Sequence, residues 1–300
     1  MAAKNDNVTH TVLALNKFAG VGPRLFEALL HRYGSLERIV RADSGSLMTI
    51  EGMSAPDANR ITKATGFLAE AAEYRTALAD RDIQVETRFG DSYPERFFEL
   101  NDPPPLLYVR GRMPDNGKKV LTVAGTQAAT NEGIELTVHL AGACAAAGVQ
   151  VVSTLKKGIG AAAHLGARAA DGSSYAVIDS GFDQIDATEE IPLAIDIIQS
   201  GGILSEYPPE KHLERDSYQA ANRLLAGLVQ AVVITEVYKG SNRTWDLLSC
   251  CSQIGKMAFV LIDPRHGAHA DKESLDRAVS CGAILMVGLD KIDDIIKSLV

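Results

Sequence analysis

In the second half of the chain, several apolar runs end in short turns built from glycine, small hydroxyl residues and a few cations. VLTVA (120–124) stops at Gly125-Thr126-Gln127, and VQVVST (149–154) is followed by Lys156-Lys157-Gly158. YAVID (175–179) ends at Asp179-Ser180-Gly181, and AVVITEV (231–237) leads to Gly240-Ser241-Asn242-Arg243. A glycine turn leaves backbone N–H groups facing outward at the start of the next helix, where the dipole favours an anion. The Thr126 hydroxyl suits a phosphate oxygen, and Lys156 or Lys157 supplies a flexible positive charge. The chemistry on offer is anion recognition. A tight turn that holds no ligand is the other reading of Gly125-Thr126.

GIGAAA at 158–163 matches GxGxxA, with Asp179 about twenty residues on, which by itself describes a dinucleotide site. It follows the second strand rather than the first, however, and two lysines intervene, so no nicotinamide cofactor is assigned. His139, His164 and His212 have no i+4 partner and no HExxH context, so no metal is assigned either. Cys144, Cys250, Cys251 and Cys281 fit neither a zinc knuckle nor a disulfide framework and are read as buried free thiols of a reducing cytoplasm.

The elements that must carry these turns alternate. Strand-like runs lie at 120–124, 149–154, 175–179, 202–206, 231–237, 257–263 and 283–287, with helical stretches between them. Buried-strand runs alternating with helices argue a parallel, doubly wound Rossmann-like α/β sheet, whose ligands sit beyond the carboxyl ends of the strands. That rule also selects Ser205-Glu206-Tyr207. Just before AVVITEV lies an amphipathic helix containing Asn222 and Arg223, the latter its only basic residue.

Residues 1–85 read differently, as a small all-α domain of helix-hairpin-helix type, leaving 86–300 to the sheet. Leu15, Phe18, Val21, Leu25, Ala28 and Leu29 keep a helical rhythm broken at Gly20-Val21-Gly22-Pro23. A second unit turns at Gly52-Met53-Ser54, and a long helix over about 57–80 leads to the boundary. Such hairpins can grip a phosphate with their outward amides, or can serve only to pack the small domain. In the second, Ser54 replaces the glycine and weakens the grip.

The net charge is −8. Residues 1–85 hold ten basic and ten acidic residues, so the whole excess falls on the remainder. A protein that binds nucleic acid by bulk electrostatics would not be charged this way, so a nucleic-acid site must be a local basic patch. The N-terminus, MAAKNDNVTH, has no apolar core of a signal peptide, and no apolar run is long enough to span a bilayer. A cytoplasmic protein is expected.

Taken together the segments resemble the DNA processing protein A (DprA, or Smf) family over about residues 86–288. FGDSYPERFFELNDPPPLLYVRG (89–111) is similar to that family's entry segment. VAGTQAAT resembles its strand–GSRxAT turn, and VVSTLKKGIGAAAHLGA resembles VVSGLARGIDxxAHxGA. AVIDSGFDQID resembles AVLGxGLDxxYP, GGILSEYPPE resembles GxLxSEYPxG, and YQAANRLLAGLVQAVVITEV resembles FPxRNRIIAGLSxxxVVVEA. The resemblance implies a domain that binds single-stranded DNA in a basic pocket, loads a RecA-type recombinase, pairs as a homodimer and needs no catalysis. It implies DNA and phosphate contacts at Gly125, Thr126, Gln127, Lys156, Lys157, Gly158, Ser180, Gly181, Asn222, Arg223, Gly240, Ser241 and Arg243. Tyr218 stands where the family has an aromatic able to stack a base.

Gln127 stands where the family has the arginine of GSR, and Lys156-Lys157-Gly158-Ile159-Gly160 stands where it has ARGID. Ala220 and Ala221 keep none of the basic character before the asparagine. An amide does not replace an arginine that meets phosphate bidentately, so a weakened affinity for single-stranded DNA is expected. The competing reading is a nucleotide-binding sensor or nucleotide-processing enzyme on the same fold. The related phosphoribohydrolases carry PGGxGTxxE. Here the loop is KGSNRTWD, with Asp246 at the place of the catalytic glutamate and no glycine pair.

Overall fold

The computed structural model describes residues 2–185, 190–214, 217–264 and 271–299. By packing, the chain groups into two units, Met1–Arg110 and Gly111–Val300. The boundary expected near residue 85 falls inside the first strand of the first unit, Gln84–Thr87. Residues 86–110 therefore pack with the helical unit.

The first unit opens with α1 (Ala2–Leu13), continued by a π-helical turn over Ala14–Phe18. The chain reverses at Gly20 (φ 73°), and Gly22-Pro23 starts α2 (Pro23–Tyr33). Proline suits that first helical position because its missing N–H has no helical partner there anyway. Then follow α3 (Leu36–Val40), α4 (Ser44–Leu47), α5 (Ala55–Thr62) and α6 (Leu68–Ala79). The Ser54 hydroxyl accepts the Asp57 amide and so caps α5. Arg60 of α5 donates to the Ala19 carbonyl at 3.0 Å, which ties the second hairpin to the first. The single long helix expected over 57–80 is in fact two. Thr62-Lys63-Ala64-Thr65-Gly66 tightens into a 3₁₀ turn over Ala64–Phe67, because two β-branched residues and a glycine hold an α-helix poorly. Two short strands, β1 (Gln84–Thr87) and β2 (Leu106–Gly111), pair antiparallel, and the reading of alternating runs omits both.

In the second unit all seven expected strands form: β3 (Val120–Gly125), β4 (Gln150–Thr154), β5 (Ser174–Val177), β6 (Gly202–Ser205), β7 (Ala231–Glu236), β8 (Met257–Ile262) and β9 (Ile284–Val287). Helices α7 (Asn131–Ala146), α8 (Ile159–Ala169), α9 (Ile191–Ser200), α10 (Ser217–Gly227), α11 (Asn242–Gln253), α12 (Lys272–Ser280) and α13 (Lys291–Ser298) alternate with them. The strands run parallel in the order β6-β5-β4-β3-β7-β8-β9. The chain thus builds outward from β3 to β6, then returns to lay β7 on the other side of β3. One face packs Leu121, Val123, Val151, Val233 and Phe259 against Leu136 and Leu140 of α7, Ile159 and Ala163 of α8 and Ile295 of α13. Burying each such side chain contributes about 1.5–3 kcal/mol, which is what holds helices to strands here.

Cys144 and Cys251 are buried, and burial pushes both thiols up to about 12, so they are unreactive at neutral pH. Cys250 and Cys281, also expected to be buried, are only partly so. Among the described residues no helix is long and apolar enough to cross a membrane, and no cluster of three potential ligands could hold a metal ion.

Candidate functional site

The switch from β3 to β7 opens a cavity of about 590 Å³ at the carboxyl ends of the strands. Its walls are the β3 turn (Gly125, Thr126, Gln127), the end of β4 (Thr154, Leu155, Lys156) and the end of β5 (Val177, Ile178, Asp179). Tyr218, Ala221, Asn222 and Leu225 of α10 close one side, and the segment from Tyr238 through Gly240, Ser241 and Arg243 to Leu247 closes another.

Nine of the fourteen residues expected at the site therefore share one cavity: Gly125, Thr126, Gln127, Lys156, Tyr218, Asn222, Gly240, Ser241 and Arg243. The other five lie outside its lining. Lys157 is exposed beside it. Gly158 caps α8 with φ 79°, and its position would drive a Cβ to 2.6 Å from the Thr126 and Gln127 carbonyl oxygens. Ser180 and Gly181 are buried away from it: the Ser180 carbonyl accepts the Ser205 hydroxyl at 2.7 Å, and the Gly181 amide donates to Lys211. Arg223 points elsewhere, to Glu206, with both Nη2–oxygen distances at 2.5 Å and both side chains largely buried.

The β3 turn is also less open to an anion than its sequence implies. The Thr126 amide donates to the Glu236 carbonyl at 3.1 Å, and the Thr126 hydroxyl accepts the Ala128 amide at 3.2 Å. The Ile159 amide, first of α8, is given to the Thr126 carbonyl. Glu236, buried at the end of β7, takes the Thr130 amide with both carboxylate oxygens and accepts the Tyr238 hydroxyl. Burial, with Glu236 second, pushes the Tyr238 phenol up to about 12, so it remains a donor. These backbone groups hold the turn rigid rather than waiting for a ligand.

The charges are arranged in pairs. Arg243 Nη1 lies 2.6 Å from Asp179 Oδ2, and its guanidinium sits 5.1 Å from the Tyr218 ring centroid. Tyr218 donates its hydroxyl to Asp246 at 2.6 Å, and Asn222 donates to the Arg243 carbonyl at 2.8 Å. Lys156 lies 3.7 Å from Glu190 and 3.9 Å from Asp179. Glu236 and Tyr238 were not among the expected site residues. Asp179 was selected by the strand-end rule but given no ligand contact; it ends YAVID, where the family-like pattern AVLGxG has glycine.

Behind the β4 wall, His164 is fully buried and donates from Nε2 to the Thr154 carbonyl at 3.2 Å. Burial pushes its pKa down to about 4. Below about pH 6.5 the unfolded chain binds a proton there that the folded chain refuses. Stability is therefore fully present above that pH and lost as pH falls toward 4, by up to about 3 kcal/mol. Urea unfolding at pH 7 and 4.5 should show this loss, and His164→Gln, which can keep the donor, should flatten the difference. An equal difference in the variant would assign the acid sensitivity elsewhere.

With the geometry in hand, comparison with known proteins decides the family. A model described as DNA recombination-mediator protein A matches residues 84–299. The chain belongs to that family. A second model, a SAM-like helix-hairpin-helix tandem, matches residues 12–65. Protein Smf of Synechocystis is 30% identical over 228 residues, covering 75% of this chain and 57% of that protein. The DNA processing protein DprA of Bacillus subtilis is 28% identical over 199 residues, covering 64% of this chain and 66% of that one. The matches thus span less than two thirds of these DprA/Smf relatives. Among solved structures, DprA of Streptococcus pneumoniae superposes with a TM-score of 0.78 at 20% identity, over 97% of this chain and 98% of that one. DNA processing protein A of Helicobacter pylori, solved to describe its single-stranded DNA binding mode, gives 0.59 at 25% identity over 72% and 95%.

Proposed function

We propose that this DprA/Smf family member binds single-stranded DNA at the carboxyl ends of β3, β4 and β5, as a binding protein rather than an enzyme. The observation that carries this reading is the cavity. It gathers Gln127, Lys156, Tyr218, Asn222 and Arg243 from segments spread over more than a hundred residues, the first four from segments that carry the family resemblance. Lys156, Arg243 and the exposed Lys157 would meet phosphates at its rim. Loading of a RecA-type recombinase, and pairing of two copies through the α/β unit, belong to the same proposal.

Binding should be weak. Gln127 brings no charge, and Asp179 and Glu190 already neutralise the pocket's cations on a body of net charge −8. Fluorescence anisotropy with labelled oligo-dT across a salt series tests this. Lys156→Ala/Lys157→Ala should flatten the slope of log K against log[salt] by roughly 0.7 per lost contact. Gln127→Arg should restore a charge-assisted contact and tighten binding by about five- to thirty-fold at low salt, on the order of 1–2 kcal/mol. Flat binding in a folded Gln127→Arg protein would remove the cavity rim as the DNA site.

A further inference from the structure

The floor of the cavity does not have the chemistry of its rim. Asp179 lines it with a side chain only 6% exposed, and the buried apolar residues Leu155, Val177, Ile178, Leu225 and Leu247 share the lining. One carboxylate oxygen, Oδ2, receives Arg243. The other, Oδ1, is buried and has no hydrogen-bond partner among the described residues. A buried acceptor left without a donor is costly, more so when it carries charge, so such an atom calls for one. Lys156 lies nearby, but at 3.9 Å it is a neighbour and not a hydrogen bond. It stands equally close to Glu190, at 3.7 Å, and can turn there without losing its ionic partner. Arg243, 42% exposed, is likewise able to move outward toward a phosphate.

A phosphate is the wrong ligand for this floor. It would face the Asp179 carboxylate, and it would lie against apolar side chains. A flat, neutral ring with N–H donors is complementary on both counts. Among the bases, thymine's N3–H lies between two carbonyl oxygens, each repelled by a carboxylate. Adenine and cytosine each offer an amino group beside a ring acceptor. Guanine alone places two donors, N1–H and the 2-amino group, side by side, and a carboxylate with about four lone-pair sites can take both.

We propose that the cavity admits a guanine base, with Asp179 as its acceptor, while phosphates stay at the rim. This rests on the proposed binding of nucleic acid at this site and makes that binding base-selective. Guanine here is either part of a DNA strand or a free nucleotide, and the experiment separates the two.

Anisotropy would compare oligo-dT with the same oligomer carrying one central dG, alongside calorimetric titration with guanosine and thymidine monophosphates. The dG oligomer should bind about tenfold more tightly. Asp179→Asn should erase that difference and, by releasing Lys156 and Arg243, tighten oligo-dT. Asp179→Gly serves the same purpose should the asparagine variant fail to fold. Equal binding of both oligomers by the unaltered protein, or a dG preference that survives in the variants, would overturn the assignment. Guanosine monophosphate binding without any oligomer binding would keep Asp179 as a guanine acceptor and dismiss the DNA reading. Failure of every probe would remove both.

Discussion

Replacing Arg223 by alanine is expected to destabilise the protein by about 3–5 kcal/mol, because it breaks the largely buried ion pair between Arg223 and Glu206. Urea unfolding would show it as a large fall in midpoint with little change in slope. A companion pair, Arg223→Met with Glu206→Gln, should recover most of the loss, since replacing both partners takes the buried charges away together. Oligonucleotide affinity per folded molecule should stay unchanged in the double variant, because Arg223 is directed away from the cavity. Near-normal stability combined with weakened DNA binding would return Arg223 to the phosphate contacts that its sequence context implies.

Gly158→Ala is expected to cost about 3–5 kcal/mol through two separable effects. The backbone there sits at φ 79°, ψ −132°, a region closed to side-chain-bearing residues. A methyl would also meet the Thr126 and Gln127 carbonyl oxygens at 2.6 Å, and the turn carrying them is pinned by Glu236. Gly148 provides the control. It has the same φ of 79° but nothing within 4 Å of an added Cβ, so Gly148→Ala should cost only about 1 kcal/mol. Thermal or urea unfolding of the two variants compares the crowded position with the open one. Equal losses would show that the β3 turn yields.

The strands of the α/β unit were legible because fully buried parallel strands must be continuous aliphatic and β-branched runs, and little else in a soluble chain looks like VLTVA or AVVIT. The pair β1 and β2 went unread because the alternation of strand and helix, which located the others, starts only after them. On the site, the strand-end rule correctly selected places in the backbone but is silent about where side chains point. Helix α10 shows the limit. Tyr218, Ala221, Asn222 and Leu225 recur at three- and four-residue spacing and face the cavity, whereas Arg223, one position past Asn222, is rotated about 100° away. That distinction was present in the helical period. The internal hydrogen bonds that consume the amides of Thr126, Thr130 and Ile159 were not, because their acceptors come from distant segments or from backbone whose direction only the fold determines.

The placement of β7 beside β3 has a consequence for how the molecule is made. The amide of Thr130 relies on a carboxylate 106 residues later in the chain, so at synthesis rates of about 5–20 residues per second the two are separated by about 5–20 s. During that interval β3 is paired on its β4 side only, with its opposite edge and the Val123 side chain lacking the neighbour that covers them in the finished sheet. An open, apolar strand edge is a template for pairing with other chains. The nascent protein therefore passes through a window in which its central strand, and not its periphery, is the exposed one, and a chaperone that shields it would act before residue 231 emerges.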